Sequence, residues 1–264
     1  MAGGVPMRWT GRYDGVEPQR VNKWLGQSGV CSRREAESFI AQGLVSIDGE
    51  TVTDTGRKIL PGQTLTLADA AGPAPLSVVL HKPMGIVSAQ PEPGQVPAVR
   101  LLTRDALLGE APYIPGRDTS LAPLGRLDMD SRGLLLLSDD GVLAKAIIGP
   151  QSDLEKEYLV TVTGKITAEK VGRLCHGLSM DGRQLKPAKV SVIRGQELRF
   201  VLKEGRNRQI RRMCELVGLH VMDLVRIRIG SLRLGDLAEG KWRVLGEAER
   251  KALIQPSSSG QPPG

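Results

Sequence analysis

A carboxylate set just ahead of a run of leucines is the feature of this chain best suited to chemistry. In Pro123-Leu124-Gly125-Arg126-Leu127-Asp128-Met129-Asp130-Ser131-Arg132-Gly133, charged residues at 126, 128, 130 and 132 lie between two glycines and lead into Leu134-Leu135-Leu136-Leu137. An apolar run of that length bounded by turn residues reads as a buried strand. The loop would hold a carboxylate at the strand's mouth, against a low-dielectric wall where its reactivity can be tuned. Tyr158, in the alternating stretch Glu155 to Val162, and Arg211, beside an apolar helical stripe, are the other candidates. Each has a plainer reading: a turn carboxylate bonded to backbone N–H groups, a core aromatic, a solvated helix arginine. No Gly-rich phosphate loop follows a strand, and no Ser-His-Asp set stands out. His81, His176 and His220 are scattered, as are Cys31, Cys175 and Cys214, with no C-x-x-C spacing to suggest a zinc site or a disulfide framework. The expectation is chemistry with neither metal nor cofactor.

The elements that must position these residues follow from periodicity. Val21, Trp24 and Leu25 give one helix, which Gly29 ends; Ser32 caps a second, with Glu35 three residues on and Ala36, Phe39 and Ile40 inside. Asp48-Gly49 joins two short strands in a tight hairpin, and Leu65 and Leu67 close this small unit. Beyond it, strands are predicted at Val78–Leu80, Ile86–Ser88, around the four leucines, and at Glu155–Val162, Val190–Ile193, Leu198–Leu202 and Met222–Ile229. Helices are predicted at Val99–Leu108, Val142–Ile148 and Ala168–Leu178, and over a segment opening at Gly205 with Ile210, Met213, Cys214 and Val217 as its inward stripe. The segment from Gln90 to Ala122 is a long turn-rich excursion. The chain therefore divides into a flexible leader (1–18), a small helical-hairpin-plus-strands domain (19–68), a linker (69–76), a larger α+β domain (77–250) and a disordered tail (251–264).

Charge narrows the partner. The chain carries +7, and eight basic residues from Lys203 to Arg233 stand against three acidic ones, so +5 of that excess falls in one short segment. Such concentration favours a phosphate-facing surface. Arg20, Lys23, Arg33 and Arg34 lie off the apolar faces of the first two helices and could share an outer surface. The chain contains no stretch of eighteen apolar residues that could span a bilayer, and Met1 to Tyr13 lacks the apolar core of a signal peptide, so a cytoplasmic location without membrane contact is expected.

The arrangement Arg20-Val-Asn-Lys-Trp-Leu, Gly29-Val-Cys-Ser32-Arg33-Arg34-Glu-Ala, Gly43-Leu-Val and Ile47-Asp-Gly49 resembles the small RNA-binding domain of the ribosomal protein S-four type. Gly125-Arg126-Leu127-Asp128 with Gly133-Leu-Leu-Leu-Leu, then Lys156-Glu157-Tyr158, Gly205-Arg-Asn-Arg-Gln-Ile-Arg211-Arg-Met, Leu224-Val-Arg226 and Gly230, resembles the RNA pseudouridine synthases of the RsuA/RluB/RluE/RluF type, with wording nearest the RluF members. The resemblance implies a synthase domain on a mixed, largely antiparallel sheet flanked by helices, isomerising a uridine in structured RNA. Large-subunit ribosomal RNA is the implied target, tRNA less so, and the enzyme would act as a monomer. It makes Asp128 the catalytic residue, Tyr158 the stacking platform, Arg211 the ion-pair partner of Asp128, and Leu224 a wall of the uracil pocket. Arg126 would fill the gap left by the extruded base, and Arg20, Lys23, Arg33, Arg34, Arg206, Arg208 and Arg212 would meet the RNA. Moving a ribose bond from N1 to C5 of uracil changes no oxidation state, which agrees with the absence of cofactor motifs; flipping the base costs a few kcal/mol. The alternative is a non-catalytic RNA-binding assembly factor on the same fold.

Overall fold

Strand pairing in the N-terminal unit begins earlier than the sequence suggests. The computed structural model describes residues 7–68, 75–116, 119 and 121–255. By its internal contacts the chain forms two units, Met1–Pro75 with Asp140–Lys145, and Leu76–Asp139 with Ala146–Gly264. In the first, β1 (Met7–Arg12) is followed by α1 (Val21–Gln27), α2 (Arg33–Ala41), β2 (Val45–Ile47), β3 (Glu50–Thr51) and β4 (Thr64–Ala68). The sheet order is β1-β4-β2-β3. Residues 7–13 are thus no flexible leader: β1 pairs antiparallel with β4, and the rings of Trp9 and Tyr13 stand edge-on to Trp24 at 5.5 and 5.4 Å. Isolated aromatics without a period gave no strand signal; their burial against Trp24 orders them. The α2 cap forms as a capping box, with Glu35 N donating to Ser32 Oγ at 3.2 Å and Ser32 N to Glu35 Oε2 at 2.6 Å.

The second unit is built on β5 (Ser77–Lys82), β6 (Arg132–Ser138), β7 (Lys156–Thr163), β8 (Lys189–Arg194), β9 (Glu197–Leu202), β10 (His220–Ile229) and β11 (Trp242–Val244). They lie in the order β8-β9-β7-β10-β6-β5-β11, and two short ribbons, Ala122–Pro123 and Leu232–Arg233, complete a nine-stranded sheet. All its pairings are antiparallel except β10 with β6, which run parallel through Val225–Arg132 and Arg226–Gly133. The mixed, largely antiparallel sheet is the architecture the sequence implied. Leu134 to Leu137 are all buried because β6 is covered on both faces, so its pattern is continuous, not alternating. The helices α3 (Ala168–Cys175), α4 (Gln209–Leu216) and α5 (Glu247–Ile254) accompany the sheet, and a further helix runs from Gly141 to Ile148.

Three expectations fail here. Ile86–Ser88 forms no strand, only a single bridge from Val87 to Pro97. The helix predicted at Val99–Leu108 shrinks to one 3₁₀ turn, Ala98–Leu101. Trp242 takes over the backbone groups the helix would have used: its Nε1 donates to Thr103 O at 2.7 Å and its carbonyl accepts from Leu108 N at 2.7 Å. The excursion is thereby pinned to the core, with Ala98, Leu102 and Leu121 buried in it. Finally, α5 continues to Ile254, so residues 251–254 are helical, not tail. Residues 256–264 of the predicted tail and most of the predicted linker lie outside the described residues.

Candidate active site

A row of residues runs across the sheet through the candidate site. Lys82 on β5 pairs with Gly133 on β6, Gly133 with Arg226 on β10, Arg226 with Tyr158 on β7, and Tyr158 with Phe200 on β9. Val160 pairs with Leu224 one step along, so Tyr158, Leu224 and Arg226 converge on one face. Gly133 makes the row possible. Its φ is +108°, and a Cβ there would stand 2.4 Å from the carbonyl oxygen of Arg226. Only glycine lets β6 and β10 approach this closely.

The loop from Gly125 to Asp130 is held by its own backbone. Six consecutive carbonyls each accept a hydrogen bond. Arg226 donates to Gly125 O at 3.0 Å and Arg126 O at 3.5 Å, and Ser88 Oγ to Leu127 O at 2.6 Å. Ser131 N donates to Asp128 O at 3.1 Å, Gly85 N to Met129 O at 2.8 Å, and Arg211 Nη2 to Asp130 O at 2.6 Å. Ser88 Oγ also accepts from Leu127 N at 2.9 Å, and Arg226 Nε is anchored on Leu134 O at 2.8 Å. The guanidinium of Arg226, 1% exposed, is spent wholly on carbonyls. Asp128 therefore rides on a rigid loop with its carboxylate committed, among the described residues, only to a distant ion pair, 4.0 Å from Arg208, and 36% exposed. It lines a cavity of about 400 Å³, together with Arg126, Lys156, Tyr158, Arg211 and Leu224. That volume suits a small ligand or a flipped base.

Arg211 reaches inward from α4 and is buried, but its partner is Asp130, not Asp128. Besides the bond to Asp130 O, its Nε lies 3.3 Å from Asp130 Oδ2 without hydrogen-bond geometry, and Nη1 donates to Val221 O at 3.2 Å. Arg208 grips the same carboxylate bidentately at 3.1 and 2.8 Å. Burial opposes charge on Asp130, but the Arg208 hydrogen bond and both arginine charges prevail and hold its carboxyl below the usual value. Asp130 is thus the loop's anchor to α4. Arg208 adopts a left-handed backbone (φ +48°) at the start of α4, a strained state that this grip sustains.

The basic segment proves largely paired. Arg206 lies 3.5 Å from Glu204 and donates to Met180 O and Gln184 O; Arg212 holds Asp181 bidentately at 3.0 and 2.6 Å. Arg228 joins Glu157 and Glu155 on the sheet face away from Tyr158. Arg206, Arg208 and Arg212 are thus each paired with a carboxylate in the chain alone, and two of the three carboxylates, Asp130 and Asp181, lie outside the window in which charge was counted. Arg126 is exposed beside the cavity. In the first unit Arg20, Lys23, Arg33 and Arg34 are exposed and make no ion pair among the described residues.

Two lysines escaped the sequence reading. Lys82 is fully buried, its Nζ donating to Pro83 O at 2.8 Å; burial pushes its pKa down to about 8, against the pull of Asp130, Asp128 and Glu239. Lys156 lines the cavity two residues before Tyr158 on the same strand face. Its pKa is also lowered, by burial and then by the charge of Arg226. The i, i+2 spacing of Lys156 and Tyr158 was visible in the sequence and could have placed both at the site. No helix among the described residues is long and apolar enough to cross a membrane.

Known proteins resemble this chain over most of its length. Residues 77–216 match the RNA pseudouridylate synthase family model, and residues 19–65 match the S4 domain. The dual-specificity RNA pseudouridine synthase RluF of Escherichia coli K12 is 36% identical over 248 residues, covering 91% of this chain and 81% of that protein. The ribosomal large subunit pseudouridine synthase B of Bacillus subtilis is 32% identical, covering 89% of this chain and 95% of its own length. A crystal structure described as a pseudouridylate synthase superposes with a TM-score of 0.62 at 26% identity, covering 89% of this chain and 99% of that one.

Proposed function

The chain belongs to the RNA pseudouridylate synthase family, with an S4 domain ahead of its synthase domain, and on that premise we propose that it isomerises a specific uridine of large-subunit ribosomal RNA with Asp128 as the catalytic residue. The enzyme class and an RNA substrate follow from the family. The ribosomal target is our extension from the name of the Bacillus subtilis relative; action as a monomer in the cytoplasm is part of the same proposal.

The observation that carries the assignment of Asp128 is the contrast within its loop: six carbonyls in a row are bonded, while this carboxylate faces the cavity beside Tyr158. A group to be brought against C1′ of the ribose or C6 of the uracil needs that combination of fixed backbone and free side chain. The target base is stacked inside RNA and must be flipped out. Tyr158 then supplies a stacking face and Leu224 an apolar wall, which keep a detached uracil in place while it turns from N1 to C5. Arg126, exposed at the cavity rim, fills the vacated stack. Arg211 acts on Asp128 through the loop, by holding Asp130 and its carbonyl.

The test is tritium release from ribosomal RNA transcripts carrying uridine labelled at C5. The wild-type chain should release label from large-subunit transcripts, and Asp128→Asn should release none while still binding the same RNA. Undiminished release by Asp128→Asn would falsify the assignment.

A further inference from the structure

The cavity holds a cation that pairs with no carboxylate among the described residues, Asp128 on the same wall included. Lys156 makes no hydrogen bond or ion pair among the described residues, although it is partly buried in a pocket. The charges nearest to matching it are otherwise engaged: Glu157, the next residue, points to the opposite face and is bound by Arg199 and Arg228 at 2.6 Å each. Glu204, also on the cavity wall, is taken by Gln209 Nε2 and by the backbone N–H of Lys186. Arg226, across the strand pair, adds positive potential without offering an acceptor. A half-desolvated ammonium with no anion is costly unless a ligand brings one. Its place is also specific: it stands about 7 Å along β7 from Tyr158, two residues at the strand rise. A nucleotide whose base lay on Tyr158 could span that separation with its sugar and phosphate.

Resting on the uridine-isomerase reading above, we propose that Lys156 is the phosphate anchor of the target nucleotide. Its ammonium takes a non-bridging oxygen of the phosphodiester flanking the uridine that stacks on Tyr158. The contact fixes the position of the flipped nucleotide without reading sequence. It involves no covalent step. The lowered lysine pKa fits the same picture, since a bound phosphate restores the charged form that burial disfavours.

The experiment uses the full chain and large-subunit ribosomal RNA transcripts labelled with tritium at uracil C5, with kcat/KM followed against KCl concentration. Lys156→Gln should lower kcat/KM by about tenfold, chiefly through KM, and flatten the slope of log kcat/KM on log salt by about 0.7 to 0.9, the share of one phosphate contact. Lys156→Arg should restore the slope. Because the change removes an unpaired, partly buried charge, Lys156→Gln should melt no lower than the wild type. An unchanged salt slope, a loss confined to kcat at saturating RNA, or a lower melting temperature each overturns the anchor in favour of a structural lysine. Absence of tritium release from the wild-type chain would instead remove the isomerase reading itself, and the anchor with it.

Discussion

Lys82 shows how a single residue near the site is set by its surroundings. Its ammonium is fully buried, so its pKa is pushed down from 10.5 to about 8, while Asp130 and Asp128 limit the fall. Below pH 8 both folded and unfolded chains hold the proton, and the burial penalty is felt in full. Between pH 8 and 10.5 the unfolded chain holds more proton than the folded one, so stability rises with pH by on the order of 3 kcal/mol from this group. Cys214 works in the opposite direction, its buried thiol pushed up to about 12, so that stability falls as pH climbs beyond 9. Urea unfolding of Lys82→Met and wild type at pH 7 to 10 separates the two, because Cys214 is common to both. The stability difference between them should shift by that amount across the window, and a flat difference would refute burial as the cause. Arg211 shows the limit of reading at this scale. The sequence indicated an inward-reaching arginine and two carboxylates two residues apart; choosing Asp130 over Asp128 depends on which carbonyls the loop turns toward α4, and no spacing encodes that.

Among the elements, the parallel junction of β6 with β10 is where fold and site meet, since β6 follows the Asp128 loop and β10 carries Leu224 and Arg226. Gly133→Ala places a Cβ 2.4 Å from Arg226 O at a φ of +108°, so the strands must part. The expected loss is on the order of 3 kcal/mol by chemical denaturation, with a fall in kcat in the protein that still folds. Gly172→Ala, inside α3 with open space around it, should instead be neutral or stabilise by about 0.5 to 1 kcal/mol. If both glycines tolerate alanine equally, close strand approach is not what positions the loop. The leucine strand and the α4 stripe were legible because each is a local signal, the first a continuous apolar run covered on both faces and the second a helical period covered on one. The excursion after Gln90 was not, since its backbone bonds go to Trp242, far along the chain. The ordering of β1 likewise depends on a strand and a tryptophan beyond any local window.

For the whole molecule, the distribution of free charge matters more than its total. A linear count put +5 of the net +7 into residues 203–233. Yet Arg206, Arg208, Arg211, Arg212 and Arg228 each meet a carboxylate, and Arg226 is given over to carbonyls. Their positive field is mostly neutralised inside the fold, whereas Arg20, Lys23, Arg33 and Arg34 in the S4 domain are exposed and make no ion pair among the described residues. Phosphate binding should therefore depend on the S4 domain to a degree the sequence count reverses. Replacing those four by alanine should reduce the steepness of log affinity against log salt by up to about 3, since each phosphate no longer bound accounts for roughly 0.7 to 0.9. The pair Arg206→Ala and Arg212→Ala should change it by less than about 1, because breaking an ion pair frees Glu204 and Asp181 without removing a phosphate ligand. Equilibrium binding to a ribosomal RNA transcript at several KCl concentrations measures both slopes. Should the second pair flatten the slope more than the first four, the paired arginines must exchange their carboxylates for RNA on binding, and Asp181 would then act as a placeholder for phosphate.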